Sequence, residues 1–453
     1  MDALLGKISD FVWGPVTLVL IVGTGLYLTI RLGFLQIRSL PYALKLAFSP
    51  KRQDKKSKGD ISHYEALTTA MAATIGTGNI VGVATAVVMG GPGAVFWMWL
   101  SALFGMATKY SEAILAVKYR VTNSKGEMSG GPMYYLEHGL KAKWLGVLFA
   151  IFGSIAAFGI GNMTQSNSVS GALLDAFHVP TWVTGIVLTL LTGLVILGGI
   201  KAIGRVTAFF VPIMALFYLI GGIIVMITNL DIVPGAIGLI FNDAFTGSAL
   251  GGGILGTVIR YGVARGVFSN EAGLGSAPIA AAAAKTDYPG RQALVSMTQV
   301  FIDTILVCSI TGITIVMSGL YDTGLEGVAL TSAAFSQFLG GAGGYIVTIG
   351  IVLFAFSTLV GWSYYGEKCF SYLFTDKAIP YYRVVFVLAV MYGAVEQLKV
   401  VWDISDIMNA LMAFPNLIGL LGLSGVVVYE TKRFLKVAKE EKAEEKARKQ
   451  AAS

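Results

Sequence analysis

The chain has 453 residues, of which 55% are apolar and only 13% charged, about half the charged share of soluble globular proteins. So little charge cannot cover a soluble core of this size, which excludes an ordinary cytosolic enzyme, a disordered protein and a secreted disulfide scaffold. The net charge of +7, from 33 basic against 26 acidic residues, needs a basic face on a folded domain before it means nucleic-acid binding.

Apolar runs long enough to span a bilayer are predicted at 11–32, 64–89, 93–117, 143–177, 181–200, 206–228, 251–283, 291–318, 342–373, 381–397 and 402–430. They define an all-α polytopic membrane protein with eleven transmembrane helices. Barrel strands of about 10 alternating residues do not fit runs this long. The first run reads as a span rather than a cleaved signal peptide, because only Lys7 precedes it and no small-x-small site stands out. Cys308 and Cys369 lie within apolar stretches, and the three histidines are scattered. Neither residue type supplies a disulfide or metal framework.

The gaps between runs set an orientation. Of the 33 basic residues, 29 fall on one set of connections, counting Arg31, the first loop from Arg38 to Lys58, the stretch 109–143 and the tail from Lys432 to Lys449. The positive-inside rule then places the N-terminus outside and the C-terminus in the cytoplasm of a multi-pass cell-membrane protein. An odd number of spans requires the same arrangement. The tail 431–453 is charged, and it reads either as a solvated helix prolonging the last span or as a partner-docking segment.

With the first span set aside, ten remain, and they divide into five and five. In each half the second span leads into a long connection, 118–142 in the first and 319–341 in the second. Two similar halves of five spans must point in opposite directions, as in the inverted repeats of many secondary transporters. The expected organisation is an extra N-terminal helix and basic loop over 1–61, a first repeat over 62–228, an extracellular connector over 229–250 and a second repeat over 251–400. The fifth helix of that repeat is 402–430 if 206–228 is its counterpart.

The opening span of each half is interrupted by glycine. The first reads Ala-Thr-Ile-Gly-Thr-Gly-Asn-Ile-Val-Gly at 73–82, the second Gly-Val-Phe-Ser-Asn-Glu-Ala-Gly-Leu-Gly-Ser-Ala-Pro at 266–278. Glycine weakens a helix interior by about 1 kcal/mol, and Asn and Ser offer the backbone competing partners. A helix broken at mid-membrane is tolerated only where it faces protein or a wet cavity. Its half-helix N-termini then meet a carboxylate, and its unwound carbonyls a cation. Helix packing is the competing explanation, since the chain has 56 glycines. The Asn in each break favours a transport site. Gly76-Thr77-Gly78 is not a phosphate loop, because it lacks the lysine.

Further along, Asn162-Met163-Thr164-Gln165-Ser166-Asn167 forms a polar island within an apolar run. Gln165 shares a helical face with Gly161 and Ser168. It is either a ligand for the amino or carboxylate group of a substrate or part of an outer vestibule. Arg260, Arg265, Glu271 and Asp303 lie inside spans, where each charge costs roughly 2.5–3.5 kcal/mol and needs a partner. Arg265 and Glu271 are six residues apart, which does not put them on one face of a regular helix.

Residues 90–105 read Gly-Gly-Pro-Gly-Ala-Val-Phe-Trp-Met-Trp-Leu-Ser-Ala-Leu-Phe-Gly. This stretch closely resembles the diagnostic motif of the alanine or glycine:cation symporter family, the sodium:alanine symporters. The two glycine-interrupted stretches resemble further family blocks. The resemblance implies the leucine-transporter fold, five-plus-five inverted repeats with one extra N-terminal helix, and import of alanine and glycine driven by sodium. Protons or a wider range of small amino acids are the alternatives, as is a sensor on the same fold. It implies no enzyme activity and no cofactor beyond sodium as coupling ion. Trp97, Trp99 and Gly105 of the motif read equally as interfacial anchors and a packing site.

By the same resemblance, the N–H groups of Thr77 and Gly78 would hold the substrate carboxylate, and Asn79 a sodium ion near it. Carbonyls of Ala72 and Ile75 with the hydroxyls of Ser357 and Thr358 would hold a second sodium; a hard cation takes oxygen ligands. The competing explanation for both hydroxyls is bonding to their own helical turn. Phe268 and Trp362 would limit side-chain volume, unless they are ordinary packing. Ser269, Asn270, Gly273, Gly275 and Ser276 would offer carbonyls or close backbone approach.

Overall fold

The computed structural model describes residues 2–49, 56–245, 255–396 and 399–451. Lys51, Arg52 and Lys55 of the first basic loop and the 251–254 start of the seventh predicted span lie outside them. The chain begins with α1 (Asp2–Val12), α2 (Pro15–Arg31) and α3 (Leu35–Phe48). The first broken helix is α4 (His63–Thr74) and α5 (Val81–Gly90), followed by α6 (Ala94–Lys118). A short hairpin of β1 (Val121–Thr122) and β2 (Met128–Ser129) and the single turn α7 (Pro132–Tyr134) lead to α8 (Lys143–Phe158) and α9 (Thr164–Phe177). Then come α10 (Thr181–Ile196), α11 (Gly199–Thr228) and α12 (Val233–Phe245).

The second half opens with another broken helix, α13 (Leu255–Asn270) and α14 (Pro278–Ala282). It continues as α15 (Pro289–Val300), α16 (Ser309–Ser318), α17 (Gly327–Leu339) and the long α18 (Gly341–Leu373). The chain closes with α19 (Ile379–Val395), α20 (Lys399–Gly422) and α21 (Ser424–Ala451).

Among the described residues, six helices are long and apolar enough to cross a bilayer, and eight if each of two sharply bent pairs is one span. Eleven were expected, and the difference lies in helices that are short or polar. α10 and α13 have 16 residues each. α6 has 25 residues but buries Lys109 and Glu112. Lys109 is thereby corrected as well: it is a buried helix residue, not a loop charge. The first predicted span, 11–32, starts at Pro15, since the helix is interrupted at Trp13 and Gly14; α3 then turns 82° away from α2. The last, 402–430, is interrupted between Gly422 and Ser424.

The two long connections also contain structure that polarity did not reveal. α17 lies within 319–341 and buries Leu330, Ala334 and Phe335 completely, and α12 lies within 229–250. In two long spans the backbone widens into π turns, at Gly159–Met163 and Phe301–Cys308. Such bulges turn side chains out of register with the regular helix, and they concentrate at functional sites.

Close helix contacts rest on glycine, as expected where small residues let backbones approach. A Cβ on Gly361 of α18 would lie 2.6 Å from the Ala73 nitrogen of α4, and one on Gly161 would lie 2.4 Å from Trp362 Cβ. At one end of the bundle the two broken helices are tied together. Ile61 pairs in parallel with Ala284, and Lys285 N–H donates to Ile61 O at 2.7 Å. Arg120 adds bonds to the carbonyls of Ala282, Ala284 and Lys58 at 2.9, 2.6 and 2.8 Å, satisfying carbonyls that the short α14 leaves open.

The Gly361 contact is therefore predicted to be intolerant of even one methyl group. Gly361→Ala should cost about 1–3 kcal/mol and lower the melting temperature of the detergent-solubilised protein by several degrees. Gly171→Ala, at a position open for 4 Å around, should leave it unchanged or raise it. Equal melting temperatures would show that the α4–α18 contact is slack.

Candidate functional site

α4 stops because Ile75 leaves the helical region at ψ 90° and Gly76 is extended at φ −139°, ψ −153°. Thr77–Asn79 form a single tight turn before α5 starts, with a 62° bend between the halves. Gly76 is required by contact: a Cβ there would lie 2.5 Å from Thr358 Oγ1. The turn is held by Asn79, whose Oδ1 accepts from Gly76 N–H at 2.9 Å. Among the described residues the N–H groups of Thr77 and Gly78 donate no hydrogen bond. Two buried N–H groups at the start of a half-helix make a place for an anion.

The end of α4 meets the middle of α18 through four oxygens. Ser357 Oγ lies 3.2 Å from Ala72 O and 3.4 Å from Ile75 O, and Thr358 Oγ1 lies 3.1 and 3.5 Å from the same two carbonyls. All four residues are buried. Both hydroxyls also reach Phe354 O in their own helix, at 2.8 and 3.0 Å. Each hydroxyl has one proton for three carbonyl neighbours, so the group holds more acceptors than donors. An excess of oxygen lone pairs around one point suits a hard cation, whose ligands at about 2.3–2.6 Å would stand at such spacings from one another.

On the other side of the first break, Gln165 donates from Nε2 to Thr77 Oγ1 at 3.2 Å and to Ile160 O at 2.9 Å. The second bond is released by the π turn Gly159–Met163. Its Oε1 is buried without a hydrogen-bond partner and would stand 3.6 Å from a Cβ on Gly76. An unpaired buried acceptor costs about 1–3 kcal/mol. Phe268 packs on Gly78, where a Cβ would lie 3.3 Å from its ring. Phe268 and Thr77 line a cavity of about 270 Å3 with Val81, Gly82, Thr85, Arg265, Asp403 and Asp406.

The second break follows Asn270, where Glu271 takes φ +57°, Gly273 +93° and Gly275 +86°. Its polar groups are occupied. Ser269 donates to Asp303 Oδ2 at 2.9 Å; Asn270 donates to Thr304 Oγ1 at 3.0 Å and caps Ala272 N–H at 2.9 Å. Ser276 Oγ donates to Glu271 Oε2, while Trp362 Nε1–H donates to Oε1 at 2.9 Å. Lys109 Nζ donates to Glu271 O at 3.0 Å. Glu112 Oε1 accepts from Gly273 N–H at 3.0 Å and Asn416 Nδ2 at 2.6 Å.

The structure thus brings Ala72, Ile75, Thr77, Gly78, Gln165, Phe268, Ser357 and Thr358 around the first break. It does not bring Gly273, Gly275 or Ser276 there. Gly273 faces Ile21 and Leu417, Gly275 is enclosed by Pro132, Phe149 and Asn416, and Ser276 is bound to Glu271. The Asn79 side chain is used for the turn and for Asp303 rather than left open. Trp362 is fixed to the second break by its Glu271 bond and to Gly161 by contact. No ion pair joins Arg265 to Glu271 among the described residues.

Two residues that residue spacing did not single out for this role connect the breaks. Asp303, in the π turn after α15, accepts from Asn79 Nδ2 at 2.8 Å through Oδ1, and from Ser269 and Thr304 through Oδ2. Gln299, one turn earlier, donates to Thr74 Oγ1 at 2.9 Å and Asn270 O at 3.2 Å. The signal for Asp303 was its intramembrane charge; Gln299 carried none.

A helical bundle with two helices broken inside it is the architecture of a membrane transporter. The chain belongs to the sodium:alanine symporter family, which it matches over residues 1–449. A relative described as sodium/alanine symporter AgcS, from Methanococcus maripaludis, is 59% identical over 97% of this chain and 98% of its own. Another, described as probable sodium/glutamine symporter GlnT from Bacillus subtilis, is 38% identical over 97% and 92%. The fold is also that of MhsT, solved with L-phenylalanine, at a TM-score of 0.60 and 14% identity over 83% of this chain and 93% of that one. The family and its relatives are transporters, not enzymes, and sodium is the coupling ion the family implies.

Asp303 gives the test of this geometry. In Asp303→Asn the charge is lost and one of the two acceptor oxygens becomes an N–H2 that faces either Asn79 Nδ2 or the hydroxyls of Ser269 and Thr304, a loss of about 1–3 kcal/mol in hydrogen bonding to a charged group. Alanine binding measured by scintillation proximity should weaken about tenfold. Unchanged affinity would mean the link between the breaks plays no part in holding substrate.

Proposed function

We propose that the chain imports alanine and glycine together with sodium, by alternating access around a midplane site between the two broken helices. The observation that carries this reading is the adjacency of two opposite features at one helix break. The Ala72, Ile75, Ser357 and Thr358 oxygens suit a cation, and two residues beyond Ile75 the open N–H groups of Thr77 and Gly78 suit a carboxylate. Asn79 and its link to Asp303 hold the turn between them, and a second ion near Asn79 would share that position. Gln165 Oε1 is positioned to accept from a substrate ammonium group. Phe268 and Trp362 limit the side chain that fits, while Ser269 and Asn270 shape the wall through the second break.

In this reading eleven spans are counted by adding α6, α10 and α13 to the eight. They form an N-terminal helix followed by two inverted repeats of five, with the N-terminus outside and the tail in the cytoplasm. Sodium is substrate as much as alanine is. Bound between α4 and α18, it would join the broken helix to its neighbour, and its loss would free them to separate. A membrane potential adds about 2.3 kcal/mol per net charge per 100 mV to inward movement. The likeness to a relative described as a glutamine symporter supports a second reading with a wider substrate range.

Reconstitution into liposomes with labelled alanine tests the proposal. An inward sodium gradient should drive accumulation that glycine competes away and leucine does not. Competition by glutamine would favour the wider range. Accumulation driven by a proton gradient alone would replace the ion, and no gradient-dependent uptake would contradict the proposal.

A further inference from the structure

α3 leaves the axis of α2 by 82° and so runs across the bundle rather than along it. Phe34 beside it and its own Ile37 and Phe48 are 49%, 55% and 47% exposed, yet it carries Arg38, Tyr42 and Lys45 in the same 14 residues. Exposed apolar side chains beside basic ones mark a helix lying at a membrane interface. α21 passes next to it. Between the two helices lies a groove of about 480 Å3 lined by Arg38, Ser39, Tyr42, Lys432, Leu435, Lys436, Ala438, Lys439 and Lys442, with no acidic residue.

The charge in this groove is sorted. Lys432, Lys436, Lys439 and Lys442 are spaced by four, three and three residues and form one stripe along α21. Two glutamates of the same helix point to the bundle instead: Glu430 pairs with Lys118 at 2.6 Å and Glu441 with Arg291 at 2.6 Å. Glu440 follows Lys436 by four residues, yet no ion pair joins the two among the described residues and Glu440 does not line the groove. Among the described residues, Arg38, Lys432, Lys436, Lys439 and Lys442 make no ion pair, and Lys442 Nζ instead sits 4.4 Å over the Tyr42 ring. Five cations facing one groove repel each other unless an anion joins them.

We propose that this groove binds the phosphate headgroup of an anionic phospholipid, whose chains run along the exposed apolar side of α3. The lipid source is favoured over a soluble anion because the groove opens beside interfacial apolar residues, where a phosphodiester and two acyl chains are satisfied together. Its assignment to the cytoplasmic leaflet rests on the orientation proposed above. The binding itself does not, so the test uses detergent-solubilised full-length protein, where orientation has no meaning.

Native mass spectrometry of that protein, with phosphatidylglycerol and phosphatidylcholine of equal chain length, is the experiment. Wild type should retain one phosphatidylglycerol with a preference of about tenfold or more. Lys432→Gln, Lys436→Gln, Lys439→Gln and Lys442→Gln together should bring it near parity while the melting temperature and alanine binding stay unchanged. If that variant does not fold, Arg38→Gln with Lys436→Gln should halve the effect at least. Equal retention of the two lipids by wild type, or an unchanged preference in a folded variant, would overturn the proposal. So would displacement of the lipid by millimolar inorganic phosphate, which would make this a soluble-anion site.

Discussion

Two helices of this protein are broken inside a bilayer, where no water is available to the backbone. Each peptide group freed there costs several kcal/mol unless something within the protein satisfies it. A connected set of the polar side chains buried in the bundle serves that single constraint. Asn79 closes the first break on itself, and Asp303 holds Asn79 and Ser269 at once. Gln299 takes the last carbonyl of α13, while Glu112, Asn416 and Lys109 take the groups beyond it. Of the buried charges, Lys109 and Glu112 bond backbone of the second break, while the carboxylates of Glu271 and Asp303 hold side chains around it.

What remains after that satisfaction defines the site. At the first break the carbonyls of Ala72 and Ile75 receive only shared hydroxyl protons, and the N–H groups of Thr77 and Gly78 have no acceptor among the described residues. Oxygen excess and donor excess thus lie within a few residues, separated by the tight turn. A cation and a carboxylate bound there would each stabilise the other across a low-dielectric gap. Coupling in this account is a consequence of one helix break presenting both of its ends. Gly76 permits it because Thr358 occupies the space that any Cβ would need.

Much of this was legible in the sequence because glycine and asparagine punctuate a helix visibly. The first break and the polar island of Gln165 follow from local pattern, while the four-oxygen contact was expected only from the fold that the family resemblance implies. The count of eleven is matched in part, because the sequence reads α6, α10 and α13 as spans, whereas α6 buries a Lys–Glu pair and α10 and α13 have only 16 residues each. The inward face of the second break did not follow: Gly273 and Gly275 look like ligand-approach glycines, yet they serve positive φ and packing against Ile21 and Phe149. Gln299 and the groove between α3 and α21 depend on contacts between residues far apart in the chain. No periodicity reports those.

The claim on which the account turns is that an ion between α4 and α18 is what orders the first break for substrate. Equilibrium binding of labelled alanine to purified protein, with sodium varied against choline, measures it directly. Wild type should bind alanine only as sodium rises, whereas Ser357→Ala with Thr358→Ala should lose the sodium dependence and bind weakly at every concentration, with its melting temperature without sodium unchanged. Sodium-stimulated binding that persists in the double variant would place the coupling ion elsewhere and contradict the account.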